Sequence, residues 1–159
     1  MSSLPYQSKH HVDSLQSLAR FAEKLAMALK AGDVVTLDGP LGAGKTTLTR
    51  LLGDALGLKE PVTSPTFVLM HEYLSGPLPV VHVDLYRLGE QNAGTLADEL
   101  FAIIDEGRSL MLVEWACYGP FLDDYATIAI RIAPDADNPE AREIAVSSNR
   151  PLSLEGAEA

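Results

Sequence analysis

Apolar residues fall into two rhythms along this chain, and the rhythms define its elements. Leu15, Leu18, Ala22, Leu25 and Leu29 recur at helical spacing. Asp13-Ser14-Leu15-Gln16 precedes them as a capping box with Asp13 as N-cap, and Gly32 is placed to end the helix in a left-handed turn. Together they predict an amphipathic helix of roughly 16 residues, an ordinary helix length. Val34-Val35-Thr36-Leu37 is a short continuous apolar run, as a buried strand shows, and Leu48, Leu51, Leu52, Leu56 and Leu58 mark a second, largely apolar helix. Beyond Pro61 and Pro65, residues 66–73 and 79–84 read as strands of an antiparallel hairpin around Ser75-Gly76-Pro77. Residues 96–104 suit a helix with acids on its outer face, and Leu110-Met111-Leu112-Val113-Glu114 reads as a buried parallel strand. Residues 126–132 and 143–146 alternate as strands across a loop at 134–139, and periodicity is lost from Ser147.

Between the first strand and the second helix lies Gly39-Pro40-Leu41-Gly42-Ala43-Gly44-Lys45-Thr46, a complete G-x-x-x-x-G-K-[ST] phosphate-binding loop. Its glycines let the backbone approach a phosphate that a Cβ would hold off. The exposed N–H groups, with the dipole of the following helix, favour polyphosphate oxygens. Lys45 supplies a cation for the same oxygens, and the Thr46 hydroxyl is a ligand for Mg²⁺. A glycine-rich turn of other purpose would not need a buried strand before it and an apolar helix after it. The expectation is an α/β fold, one P-loop NTPase domain over residues 13–146 with a mixed, mainly parallel sheet flanked by helices. Residues 1–12 are expected to form an N-terminal segment and 147–159 a flexible tail.

Composition narrows the partners. The 159 residues include 12 basic and 22 acidic side chains, a formal charge of −10. Nucleic-acid binding needs a basic footprint to displace phosphate counterions, so strong direct contact with nucleic acid is not expected. The single cysteine, Cys117, excludes an intramolecular disulfide. With no long apolar run and no basic and apolar leader, a cytoplasmic protein is expected, without membrane association.

A phosphate loop alone binds; hydrolysis also needs the metal held from the opposite side and an oriented nucleophile. Asp84 and Glu114 each end an apolar strand, and the carboxyl ends of strands line the ligand crevice in α/β sheets. Spacing does not choose between them as the second metal anchor; both could instead be surface acids. Thr63, Ser64 and Thr66 lie where a γ-phosphate-sensing segment can sit, or form an ordinary proline turn. His10, His11 and His71 lack ligand-spaced partners and read as surface residues; His82 reads as structural, and Cys117 as a packing residue.

In order and spacing, four strings resemble the TsaE (YjeE) family, the P-loop ATPases of bacterial tRNA threonylcarbamoyladenosine biosynthesis. They are Gly39-Pro40-Leu41-Gly42-Ala43-Gly44-Lys45-Thr46-Thr47, Val62-Thr63-Ser64-Pro65-Thr66-Phe67, His82-Val83-Asp84-Leu85-Tyr86-Arg87-Leu88 and Val113-Glu114-Trp115. The first is common to many NTPases; the other three are specific. The resemblance covers roughly residues 13 to 146. It implies an ATPase acting beside TsaB and TsaD, which modify adenosine 37 of tRNAs reading codons that begin with adenine, with hydrolysis resetting their complex. It implies that residues 42–47 contact ATP, that Thr46 and Glu114 hold Mg²⁺, that Asp84 supports hydrolysis, and that Arg142 contacts nucleotide. Pro40 departs from the Asp of many members, and Ala116 from a common Pro. Rival readings are a small-molecule kinase, which would need a basic lid not evident here, and a nucleotide-dependent binding module without turnover. No N-K-x-D string supports a GTPase, and no L-S-G-G-Q string an ABC-type ATPase.

Overall fold

The computed structural model describes residues 4–63 and 69–155. The chain runs β1 (Tyr6–Val12), α1 (Leu15–Ala28), β2 (Val34–Asp38), α2 (Lys45–Ala55), β3 (Met70–Tyr73), β4 (Val80–Asp84), α3 (Gly89–Asn92), α4 (Ala97–Glu106), β5 (Leu110–Glu114), β6 (Ile128–Pro134) and β7 (Arg142–Ser148). A 3₁₀ turn joins α3 to α4, and two more lie between β5 and β6. The strands form one sheet in the order β1-β7-β6-β2-β5-β4-β3. The β6-β2, β2-β5 and β5-β4 pairs are parallel; the pairs outside them are antiparallel. The α/β class and the mixed sheet are as the sequence predicts, with parallel pairing confined to the centre.

Alternation along the central strands builds two cores. Val35, Leu37, Leu110 and Leu112 face one side, where α1 and α2 bring Phe21, Leu25, Leu48 and Leu52. Val34, Met111 and Val113 face the other, against Leu85, Leu96, Leu100 and Leu122. Burial on both faces explains why β5 is apolar without polar interruptions. Each such leucine taken from water contributes roughly 1.5–3 kcal/mol. Parallel pairing also collects Asp38, Asp84 and Glu114 at one sheet edge, with Asp84 in register with Glu114.

Several expectations are corrected. The N-cap of α1 is Ser14, not Asp13: the Ser14 hydroxyl accepts from Ser17 N–H at 3.0 Å, and Ser17 Oγ accepts from Ser14 N–H at 3.1 Å. A serine at the N3 position completes the reciprocal box that Gln16, one residue early, cannot. The helix stops at Ala28, so Gly32, at φ 90°, shapes the following turn rather than the cap. Residues 6–12 form an edge strand, paired from Tyr6↔Ser148 to Val12↔Arg142. Its mostly exposed, polar sequence carries no apolar alternation to announce it. His10 within it is buried, its ring centroid 5.1 Å from that of Phe21. The stretch from Ser147 is no loose tail through Glu155: β7 continues to Ser148 and Leu154 is buried. The strand expected at 66–73 is seen over Met70–Tyr73, and residues 64–68 lie outside the described residues. Among the described residues no helix is long and apolar enough to cross a membrane.

Candidate functional site

The phosphate loop leaves the carboxyl end of β2 and turns into α2. At Gly39 the backbone passes so near β6 that a Cβ would collide with the Ile132 carbonyl oxygen. Gly44, at φ 109°, is the N-cap of α2 and gives that helix end no side-chain cap. The first-turn N–H groups of a helix have no intrahelical acceptor, so this end is open to water or to an anion. Leu41, Gly42, Gly44, Lys45, Thr46, Thr47, Glu114 and Trp115 line an open cleft of about 200 Å³. Ala43 instead points into the core, and its carbonyl accepts from Arg142 Nε at 3.0 Å. Arg142 thereby braces the loop from β7, beside a second hollow lined by Ser14, Leu15, Leu18, Gly44 and Thr47.

Lys45 is 5% exposed and turned back on its own loop. Its ammonium donates to the carbonyls of Gly39 (2.5 Å) and Pro40 (2.9 Å) and lies 4.2 Å from the centre of the Trp115 ring. Burial pushes its pKa below the ordinary lysine value, opposed by the negative charges of Glu114, Asp38 and Asp84. Trp115 is the one non-glycine among the described residues at positive φ, 58°. A left-handed conformation costs an L-residue roughly 1–2 kcal/mol. Tyr86 and Tyr118 flank the indole, with centroids 4.8 and 5.4 Å away.

Glu114 is the buried acid of the site, 1% exposed. Oε1 accepts from the Thr46 hydroxyl at 2.8 Å, and Oε2 lies 2.5 Å from His82 Nε2. An alcohol beside a carboxylate is a donor set suited to a hard cation that keeps most of its waters, as Mg²⁺ does. Asp84, one strand away, is half-buried and accepts from Tyr86 N–H at 3.0 Å. The geometry therefore brings Glu114, and not Asp84, to Thr46. Thr63 is exposed, its N–H donating to the Tyr73 hydroxyl at 3.3 Å. Ser64 and Thr66 lie outside the described residues.

Sequence reasoning missed three members of this neighbourhood. Asp38 ends β2 as Asp84 and Glu114 end their strands, so the same strand-end signal could have found it. Its Oδ1 accepts from Cys117 N–H at 2.8 Å. Cys117 is exposed rather than packed; partial burial, then Asp38, push its thiol pKa up. His82 touches Glu114 across a register that only the folded sheet reveals, and the Lys45–Trp115 contact spans 70 positions.

The family model described as "Threonylcarbamoyl adenosine biosynthesis protein TsaE" matches residues 12–144. The tRNA threonylcarbamoyladenosine biosynthesis protein TsaE of Bacillus subtilis is 44% identical over 95 residues, 60% of this chain and 58% of that protein. The Streptomyces coelicolor protein of the same name is 46% identical over 102 residues, 62% of this chain and 66% of that one. These alignments thus span between about three fifths and two thirds of each relative's length. The crystal structure of Bacillus subtilis YdiB superposes with a TM-score of 0.69 at 32% identity, covering 94% of this chain and 90% of that one. A match that includes the phosphate loop, the Asp84 and Glu114 strand ends and the start of β7 places this chain in the TsaE family, the family of tRNA threonylcarbamoyladenosine biosynthesis.

Proposed function

We propose that this chain binds ATP with Mg²⁺ and hydrolyses it slowly in the cytoplasm. Its nucleotide state would act as a switch on a TsaB–TsaD complex that threonylcarbamoylates adenosine 37 of tRNAs reading codons that begin with adenine. The observation that carries this reading is the 2.8 Å contact between Thr46 and Glu114 at the mouth of a phosphate loop. It joins the loop to the opposite strand end, as a site that hydrolyses rather than merely binds requires.

Each group has a defined task. Backbone N–H groups from Gly42 to Thr47 cradle the phosphates, and Lys45 exchanges the Gly39 and Pro40 carbonyls for phosphate oxygens. Thr46 and Glu114 hold the Mg²⁺, which when bound neutralises charge on the terminal phosphates. Asp84 supports hydrolysis at the same sheet edge, Arg142 steadies the loop at Ala43, and Thr63, Ser64 and Thr66 sense the γ-phosphate. The net charge of −10 favours action on tRNA through partner proteins rather than direct contact.

Phosphate release, measured alone and with TsaB and TsaD, tests the reading. Slow release that rises with the partners is expected. Release that demands an added sugar, nucleoside or acid acceptor would identify a small-molecule kinase instead. In Glu114→Ala the magnesium titration should move to higher concentration, and an unmoved titration would remove Glu114 from the metal.

A further inference from the structure

His82 is fully buried in the centre of β4, in register with Leu112 of β5, and faces Glu114 with Nε2. Its other ring nitrogen, Nδ1, is buried and has no hydrogen-bond partner among the described residues. That asymmetry fixes the proton. If Nδ1 carried it, the protein would hold a buried N–H with nothing to accept it, which native interiors rarely tolerate; a bare acceptor nitrogen is more readily accommodated. The hydrogen-bond geometry therefore assigns the proton to Nε2, as donor to Glu114 Oε2. The carboxylate then has one oxygen engaged by the imidazole and the other, Oε1, at the Thr46 hydroxyl and the cleft.

We propose that His82 is a positioning residue for Glu114: by fixing Oε2 it presents Oε1 alone to the metal, so that Glu114 serves as a one-oxygen ligand in a set rotamer. This rests on the proposed metal role of Glu114 and deepens it. A partner that orients a metal-binding carboxylate typically changes metal affinity 10–100-fold when removed. The proposal also explains a histidine in an otherwise apolar strand. Val80, Val81 and Val83 fill β4 around it, and a fourth aliphatic residue would pack as well while leaving Oε2 buried and unpaired.

The test is Mn²⁺ binding followed by electron paramagnetic resonance with a non-hydrolysable ATP analogue present, in the full chain and in His82→Gln, His82→Asn and His82→Leu. The Gln amide nitrogen reaches about as far as Nε2, whereas the Asn amide stops near the place of Nδ1. His82→Gln should bind Mn²⁺ within about 3-fold of the parent, and His82→Asn and His82→Leu at least about 10-fold more weakly. Folded His82→Leu with parental affinity, or His82→Gln as weak as His82→Leu, would overturn the proposal. A merely structural histidine would not separate Gln from Asn by metal affinity. Nitrogen-15 NMR of the unaltered protein gives a second reading that needs neither folding of a variant nor nucleotide. The Nε2–H tautomer is expected, and an Nδ1–H tautomer would overturn the proposal. If the parent chain bound no Mn²⁺ with the analogue, the proposed ATP–metal function would fall, and the NMR result would still decide how His82 meets Glu114.

Discussion

Two carboxylates in this protein are buried to the same degree, Asp33 and Glu114 at 1% exposure each, and they sit at opposite ends of the central sheet. Asp33 immediately precedes β2. Its oxygens accept from Arg150 Nη1 and Nη2 at 2.8 and 2.7 Å, from the Thr127 hydroxyl at 2.9 Å and from Lys30 N–H at 2.9 Å. Glu114 ends β5 and has a hydroxyl and an imidazole, but Lys45, which lines the same cleft, is bonded elsewhere, to its own loop. The first acid is saturated by a bidentate guanidinium and joins the ends of α1, β2, β6 and the chain after β7. The second belongs to a cluster whose members have other partners to take. Burial alone would raise the pKa of Asp33; the bonds from Arg150, Lys30 and Thr127 outweigh it and hold the carboxyl below its ordinary range. Equal burial thus has two settings: one acid's partners tie four elements together, and the other's bring the phosphate loop to a strand end, where the proposed function needs partners that can exchange.

The sharpest way to break this contrast is to remove each cation. Lys45→Ala should abolish phosphate release and weaken ATP binding on the order of 100-fold, the scale of losing a desolvated charge-assisted contact. Its melting temperature should move little, because the Gly39 and Pro40 carbonyls return to water. Undiminished turnover would refute the role of Lys45. Arg150→Ala should do the reverse. Leaving Asp33 buried without its counter-charge costs about 3 kcal/mol, a fall in melting temperature of roughly 6–12 °C for a chain of this size. ATP affinity, measured below the melting range, should be unchanged, and a matching loss of affinity would erase the distinction between the two ends.

A pH series sharpens it further. Because the folded-state pKa of Asp33 is depressed, its contribution to stability is fully present above the unfolded value, about 3.9, and is lost as pH falls through the folded value. With Arg150 gone, burial raises the Asp33 pKa, so the stability gap between the parent and Arg150→Ala should be widest near neutrality and shrink as pH falls and Asp33 takes up a proton. Denaturant melts at several pH values check this. A gap that stayed constant down to pH 3 would mean that Arg150 acts through packing alone.

The difference between the two ends also explains what could be read in the sequence. The phosphate loop is contiguous, and each residue type in it answers a local demand, so Gly39 through Thr47 needed no tertiary knowledge. Glu114 and Asp84 were visible as acids ending apolar runs, but which of them reaches Thr46 depends on side-chain direction at a sheet edge, which a string of residues does not carry. The Asp33–Arg150 pair spans 117 positions and left no trace; Arg150 stood in a stretch whose lost periodicity suggested a tail. β1 was illegible for a related reason. An edge strand with one exposed face and two histidines has no apolar rhythm, and only the register with β7 makes it a strand.

The smallest expected effect is optical, and it probes the exchangeable end directly. Trp115 is the sole tryptophan, so all indole emission reports this site. Its ring lies over the Lys45 ammonium between Tyr86 and Tyr118. If Lys45 leaves the Gly39 and Pro40 carbonyls for phosphate, the charge above the indole moves and the emission must respond. A saturable change on adding Mg²⁺–ATP is expected, and it should be absent in Lys45→Ala at the same concentrations. Trp115→Phe should retain binding within a few-fold, since a phenyl ring keeps the cation–π face at an interaction strength of about 0.5–2 kcal/mol. A flat titration in a protein shown by another method to bind ATP would mean that Lys45 keeps its loop carbonyls in the bound state. The contrast between a closed and an exchangeable acid would then rest on Glu114 and Thr46 alone.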